Sequence, residues 1–234
     1  MTEALYMEDC YMRSCKAKVI EVNGLFVVTD KTIFYPESGG QPTDTGKFVC
    51  GDKEYKVALA KKISGNISHQ VDKEGLKVGD EIEMVIDWDN RYKLMRYHTA
   101  AHIVSGVINK HTDAKITGNQ LSLDKTRIDF NLHEFDRDLI MSFLPEMNKL
   151  VEEERAVNIR ELPRDEAFKI ESLFKLKDVL PPSIKRIRIV EIEGFDTQAC
   201  GGTHVKNTKE VGTINITDMQ NKGKDNRRLY FTIE

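Results

Sequence analysis

Two residue pairs in this 234-residue chain have the types and spacing to hold a metal ion. His98 and His102 stand four apart in a stretch that reads as a helix, so both imidazoles fall on one face, one turn apart. An isolated pair of this kind is often plain surface or core histidine. The second pair, in Cys200-Gly201-Gly202-Thr203-His204, raises its weight. Here the two glycines are expected to give the backbone angles that turn thiolate and imidazole toward one point. Cys and His are the ligands zinc prefers, four in structural sites and three plus water in catalytic ones. One thiolate and three neutral imidazoles leave a divalent ion net positive. That suits Lewis-acid work at a carbonyl, and equally a closed structural site. We therefore expect one zinc ion per chain at His98, His102, Cys200 and His204. A zinc peptidase is disfavoured, because residue 99 is Thr where the HExxH motif needs Glu. His69, His111 and His133 lack such partners and read as surface histidines. Cys10, Cys15 and Cys50 read as idle or buried thiols, too few for a disulfide scaffold.

The elements that must position these residues fall into two parts. Residues 16–88 read as strands and turns. Val19–Val22 and Leu25–Val28 flank Asn23-Gly24, a strong hairpin signal. Short strands follow at Gly46–Cys50, Glu54–Ala60 and Glu81–Ile86, which suggests a small barrel-like β domain. From Trp88 the pattern changes. Asp89 or Asn90 is expected to cap a helix from Arg91 to about Asn109. A second amphipathic stretch covers about Glu134–Arg155, with Pro145 kinking or breaking it. A short helix is expected near Pro163–Ile170, and strands at Arg186–Ile192, Val211–Met219 and Arg228–Ile233. The fold expected is α+β: an N-terminal β-barrel-like domain over residues 1–90, then a two-layer α+β domain with a mostly antiparallel sheet over residues 91–234.

Composition bounds the partners. Hydrophobic residues make up 40% and charged residues 31%, ordinary for a globular protein. No apolar run approaches the ~20 residues that span a membrane, and the first ten residues show no signal peptide, so the expected location is the cytoplasm. The net charge of −3 hides a split: residues 1–90 carry 11 basic and 16 acidic groups, residues 91–234 carry 24 and 22. Any polyanion contact should fall on the second part.

Taken together, His98-Thr-Ala-Ala-His102 and Cys200-Gly-Gly-Thr-His204 resemble the two metal-binding motifs of the alanyl-tRNA synthetase editing domain, a pair shared with threonyl-tRNA editing domains. Phe34-Tyr-Pro-Glu-Ser-Gly-Gly-Gln-Pro42 and Arg127-Ile-Asp-Phe130 also match the alanyl branch. The resemblance runs from about residue 18 to the C-terminus, with four motifs in order. No aminoacylation region is present, so the chain resembles the free-standing AlaX-type editing proteins of medium length.

That resemblance implies a reaction: hydrolysis of the ester joining serine, or less often glycine, to tRNA(Ala). An alanine pocket rejects such near-isosteres weakly, and a second hydrolytic site is the general remedy. By position in the family, Thr117 is the residue expected to recognise serine, with Gln120 as competitor. The loop of Gly39, Gly40 and Gln41 is expected to shape the pocket, although a Gly pair is also a plain turn. For tRNA phosphates the candidates are Lys222, Lys224, Arg227 and Arg228, with a second cluster of Lys185, Arg186 and Arg188. The default oligomeric state is a monomer. The competing readings are a non-catalytic zinc-stapled tRNA-binding module and editing of another tRNA such as tRNA(Thr); the Gly39-Gly40 segment argues against the latter.

Overall fold

The structure is a computed structural model that describes residues 1–132, 136–170, 173, 183–223 and 226–234. The fold is mixed α+β and mostly sheet, and its residues cluster into two compact units. The first comprises Met1–Met95 and Gln120–Leu123, the second Arg96–Asn119 and Asp124–Glu234.

The first unit opens with β1 (Glu3–Ala4) and β2 (Ser14–Asn23). It continues through β3 (Phe26–Thr29), β4 (Lys31–Thr32), β5 (Gly46–Cys50), β6 (Lys53–Ile63), β7 (Asn66–Val71) and β8 (Glu81–Ile86). Six of these close an antiparallel barrel in the order β2-β3-β7-β6-β5-β8. Along β8 the buried Ile82, Met84 and Ile86 alternate with Glu81, Glu83 and Val85, as period-two geometry requires. Val19, Val27, Phe34, Phe48, Tyr55, Val57, Ile67, Val71, Ile82 and Met84 form the buried core. The hairpin expected at Asn23-Gly24 is present, with Gly24 at φ +57°.

His69 corrects the sequence reading. It sits in the barrel core, fully buried, with Phe34 and Phe48 ring centroids 5.5 and 5.1 Å away. Its Nδ1–H donates to the Val27 carbonyl at 3.1 Å and its Nε2 accepts from the Thr32 hydroxyl at 2.8 Å. The histidine in the middle of Ile67-Ser-His69-Gln-Val71 hid the inward alternation that makes this segment a strand. His111 is partly exposed, stacked on Phe143 and paired with Glu146 at 2.6 Å; His133 lies outside the described residues.

The helix α1 (Trp88–Thr112) starts earlier than its pattern suggests. Asp87, not Asp89 or Asn90, supplies the carboxylate that accepts the Asn90 N–H at 3.3 Å. At its start the fully buried Arg91 donates from Nε to both Asp44 oxygens at 2.9 Å and from its other nitrogens to the Cys10 and Ile33 carbonyls. This ties the end of the Tyr35–Asp44 loop to the helix.

Within the second unit, β9 (Ile116–Gln120) and β10 (Thr126–Phe130) precede α2 (Arg137–Ser142) and α3 (Leu144–Glu152). The break expected near Pro145 is present, and it separates two helices. Pro145 stands in the first turn of α3, where its missing N–H costs nothing, and Phe143 ends α2. Then follow β11 (Val157–Pro163), α4 (Arg164–Ala167), β12 (Arg186–Ile192), β13 (Asp196–Ala199), β14 (Ile214–Asn221) and β15 (Arg227–Ile233). Two antiparallel groups result, β14-β15-β10-β9 and β11-β12-β13. The inner face of the first carries Ile128, Phe130, Leu229 and Phe231 against α1, where Tyr97 meets Phe231 at 6.1 Å between ring centroids. No helix among the described residues is long and apolar enough to cross a membrane.

Candidate metal centre

All four expected donors lie in the second unit, and the fold brings them together. The ligand atoms of His98, His102, Cys200 and His204 lie within 4.8 Å of one another. The helix α1 presents His98 and His102 one turn apart, with ring centroids 5.5 Å apart. The loop after β13 presents Cys200 and His204. Cys200 Sγ stands 3.5 Å from His98 Nε2 and 3.3 Å from His204 Nε2. The His204 ring is 4.3 Å from that of His98 and 4.7 Å from that of His102. In a tetrahedral zinc site the usual bond lengths place a thiolate sulfur and an imidazole nitrogen about 3.6 Å apart. The donor set therefore fits zinc in both chemistry and spacing.

The far side of two rings is also fixed. His204 Nδ1 lies 3.1 Å from Thr99 Oγ1, which also accepts the Val205 N–H at 3.3 Å. His102 Nδ1–H donates to Asp196 Oδ2 at 3.2 Å. The same oxygen accepts Gln198 Nε2 at 2.9 Å. The Asp196 carboxylate only accepts, so His102 Nδ1 carries the proton of that contact, whereas the Thr99 hydroxyl pairs with His204 Nδ1 in either direction.

Burial and mutual charge dominate the electrostatics. Burial alone would raise the Cys200 thiol, but the His98 and His204 charges hold it well below the ordinary thiol range. Burial, and then repulsion from His98, depress His204 well below the ordinary imidazole range. Burial works against the charged form of His102 too, yet Asp196 and Cys200 overturn it and push the group up to about 10. The lowered Cys200 and His204 favour the deprotonated forms a metal needs, and His102 would release a proton on binding one.

The glycines do not shape the loop as expected. Neither Gly201 nor Gly202 has positive φ. The loop is held instead by Arg188 of β12. Its Nη1 donates to the Cys200 carbonyl at 2.7 Å and the Gly202 carbonyl at 2.8 Å, while the Cys200 N–H returns to the Arg188 carbonyl at 3.1 Å. Arg188 is buried, so it is a loop clamp rather than a surface phosphate contact.

The other expected site residues separate by strand geometry. Gly118 of β9 faces Asp129: a Cβ built there would lie 3.4 Å from the Asp129 carboxylate. Asp129 is on the sheet face opposite Ile128 and Phe130. Thr117, one residue away, therefore lies on the side of β9 opposite Gly118 and is exposed, whereas Gln120 shares the side of Gly118. Gly39 and Gly40 both sit at positive φ, +57° and +82°, in a turn closed by the Ser38–Gln41 bridge. Gln41 is buried, and the Gly40 carbonyl accepts the Leu121 N–H at 2.8 Å.

Among the basic candidates, Lys185, Arg186 and Lys222 are exposed, with Arg186 paired to Glu161 at 3.2 Å. Arg228 is engaged by Asp129 in a two-pronged pair at 2.7 and 2.9 Å, which holds that carboxyl below the usual carboxylate range. Arg227 is buried and braces the β14–β15 turn through Asn221 Oδ1 and the Gly223 carbonyl. On β15 it alternates with half-buried residues, which points it inward and corrects its reading as a surface charge. Lys224 lies outside the described residues.

The sequence does not mark Asp196 as a site residue, and it suggests other roles for Thr99 and Arg188. The signal for Asp196 was period two: Asp196, Gln198 and Cys200 share one side of an extended segment. The half-buried Asp196–Ala199 strand shows no apolar alternation to reveal it.

Residues 187–230 match the family described as Threonyl and Alanyl tRNA synthetase second additional domain. Residues 3–90 match the family described as tRNA synthetases class II (A). The chain is 50% identical to the alanyl-tRNA editing protein AlaX-M of Methanosarcina barkeri, with 100% of this chain and 99% of that protein covered. It is 40% identical to the AlaX-M protein of Saccharolobus solfataricus, with each covered in full. It is also 38% identical to the alanine–tRNA ligase of Ignicoccus hospitalis, over 92% of this chain and 24% of that protein.

Proposed function

This chain belongs to the alanyl-tRNA editing proteins of the AlaX type, and we propose that it is a trans-editing deacylase that hydrolyses the ester of mischarged tRNA(Ala), chiefly with serine and less with glycine. The observation that carries this reading is the convergence of four zinc-compatible donors within 4.8 Å. It occurs in a chain similar over its whole length to proteins named for that editing activity.

We assign residues 1–90 to a barrel-like domain, residues 91–234 to the editing domain, and one zinc ion to His98, His102, Cys200 and His204. Bound there, zinc supplies positive charge that polarises the ester carbonyl and offsets charge developing in the transition state. The protein's own groups do the rest. Asp196 holds the His102 imidazole by its Nδ1–H, and the Thr99 hydroxyl orients the ring of His204. Arg188 fixes the Cys200–His204 loop. The Thr117 hydroxyl is assigned to the serine hydroxyl, a hydrogen bond that an alanyl ester cannot make. The Gly39-Gly40-Gln41 turn is assigned to the selectivity of the pocket.

Lys185, Arg186, Lys222, Lys224 and Arg228 are the cations assigned to tRNA phosphates, which they contact without reading sequence. The reading places the protein in the cytoplasm as a monomer. Deacylation of Ser-, Gly- and Ala-tRNA(Ala), measured beside metal content, tests it. Release of serine well above that of alanine, with one zinc per chain, is the expected result. No release of serine by zinc-loaded protein would leave a tRNA-binding module instead.

A further inference from the structure

We propose that Asp196 is a positioning residue for the metal centre, whose carboxylate fixes the ring of His102 so that its Nε2 faces Cys200 and the other donors. The inference rests on the reading of the four residues as a zinc site and deepens it.

The geometry is specific. His102 and Asp196 come from α1 and β13, ninety-four residues apart in sequence, and meet at 3.2 Å with both side chains largely buried. A second donor, Gln198 Nε2, meets the same oxygen at 2.9 Å. The carboxylate is thereby held from two sides and its oxygen cannot swing away from the imidazole. Its backbone is anchored by the β12–β13 ladder, where Asp196 stands opposite Ile192. A carboxylate at this distance accepts only from a protonated Nδ1, which leaves Nε2 as the lone-pair nitrogen.

Charge gives a second reason. Among the four donors only Cys200 is anionic, so a divalent ion there keeps one positive charge in a buried site. Asp196 cancels it without taking a coordination position. A carboxylate behind a ligating imidazole also makes that ligand more basic, and losing such a partner typically weakens metal affinity about 10–100-fold. The Thr99 hydroxyl holds His204 in a comparable way, but brings no charge.

Zinc affinity measured by competition with a chromophoric chelator tests this, on the full chain as Asp196→Asn and Asp196→Ala. Asp196→Asn keeps shape and volume, so one variant stays informative should the other fail to fold; circular dichroism reports which do. The expected result is a loss of zinc affinity of about 10–100-fold in a folded variant. Nitrogen-15 spectra of the zinc-loaded protein give a readout that a merely structural role would not move: the His102 Nδ1 proton signal shifts or broadens in Asp196→Asn. One zinc in the wild-type chain with undiminished affinity in the folded variants overturns this inference alone. A wild-type chain that takes up no zinc overturns the reading of the site and this inference with it.

Discussion

The guanidinium of Arg188 donates to the carbonyl of Cys200 at 2.7 Å and, through the same nitrogen, to that of Gly202 at 2.8 Å. A buried cation on β12 thus sets the path of the loop that carries two of the four donors. Arg188→Met keeps the apolar stem and removes both bonds. Hydrogen bonds to a charged group contribute about 1.5–3 kcal/mol each, so we expect a stability loss of about 3 kcal/mol together with weaker zinc binding. Thermal melts and chelator competition measure the two effects. Unchanged zinc affinity in Arg188→Met would mean that the loop holds its shape without the clamp.

Removal of a donor separates two roles for zinc. His102→Ala takes one imidazole from the cluster and should lower zinc content and deacylation together. The expected fall in rate is roughly 100-fold or more, the scale seen when one electrostatic stabiliser is lost. Elemental analysis and a Ser-tRNA(Ala) assay on the same preparation decide the matter. A folded, zinc-free variant with full activity would show that the metal only staples α1 to the 200–204 loop.

Thr117 and Gln120 make opposite predictions because they lie on opposite faces of β9. Thr117→Val conserves volume and deletes the hydroxyl, so deacylation of Ser-tRNA(Ala) should fall roughly 10-fold, for one hydrogen bond worth about 1.5 kcal/mol. Gln120→Ala should leave the rate within about 2-fold, since changes at exposed positions are usually small. The reverse order would move the recognition role to Gln120.

The donors were legible in the sequence because each pair lies within one turn or one loop. Local spacing carried His98 with His102 and Cys200 with His204. The barrel was legible in its alternating strands and in the Asn23-Gly24 turn. What stayed hidden was long-range. Asp196 and His102 are joined only by packing of a strand on a helix. Arg188 reads as one of three clustered basic residues, Lys185, Arg186 and Arg188, where basic and apolar residues alternate, and only burial on β12 reveals its different task. The loop glycines take no left-handed angle, and the loop is tied instead by the Arg188 guanidinium. His69 was misjudged because an imidazole is amphipathic: with both nitrogens satisfied by Val27 and Thr32, it fills a core position as an aromatic ring would.

The buried state of His69 has a pH consequence. Burial dominates over the Val27 hydrogen bond and lowers its pKa to about 4. The unfolded value is about 6.5, so folding favours the neutral ring. Above pH 6.5 both states are neutral and the contribution to stability is fully present. As pH falls from 6.5 toward 4 the unfolded chain binds a proton that the folded barrel refuses. Stability drains at about 1.4 kcal/mol per pH unit, about 3 kcal/mol in all. His69→Gln removes the titration while keeping a polar side chain. Trp88 is the chain's single tryptophan and belongs to the same unit, so its fluorescence reports unfolding there. Urea titrations of both proteins between pH 7 and pH 4 should therefore show the variant gaining about 3 kcal/mol on the wild type as the pH falls. A stability difference that stays constant across that range would place the protonated ring in water, not in the barrel core.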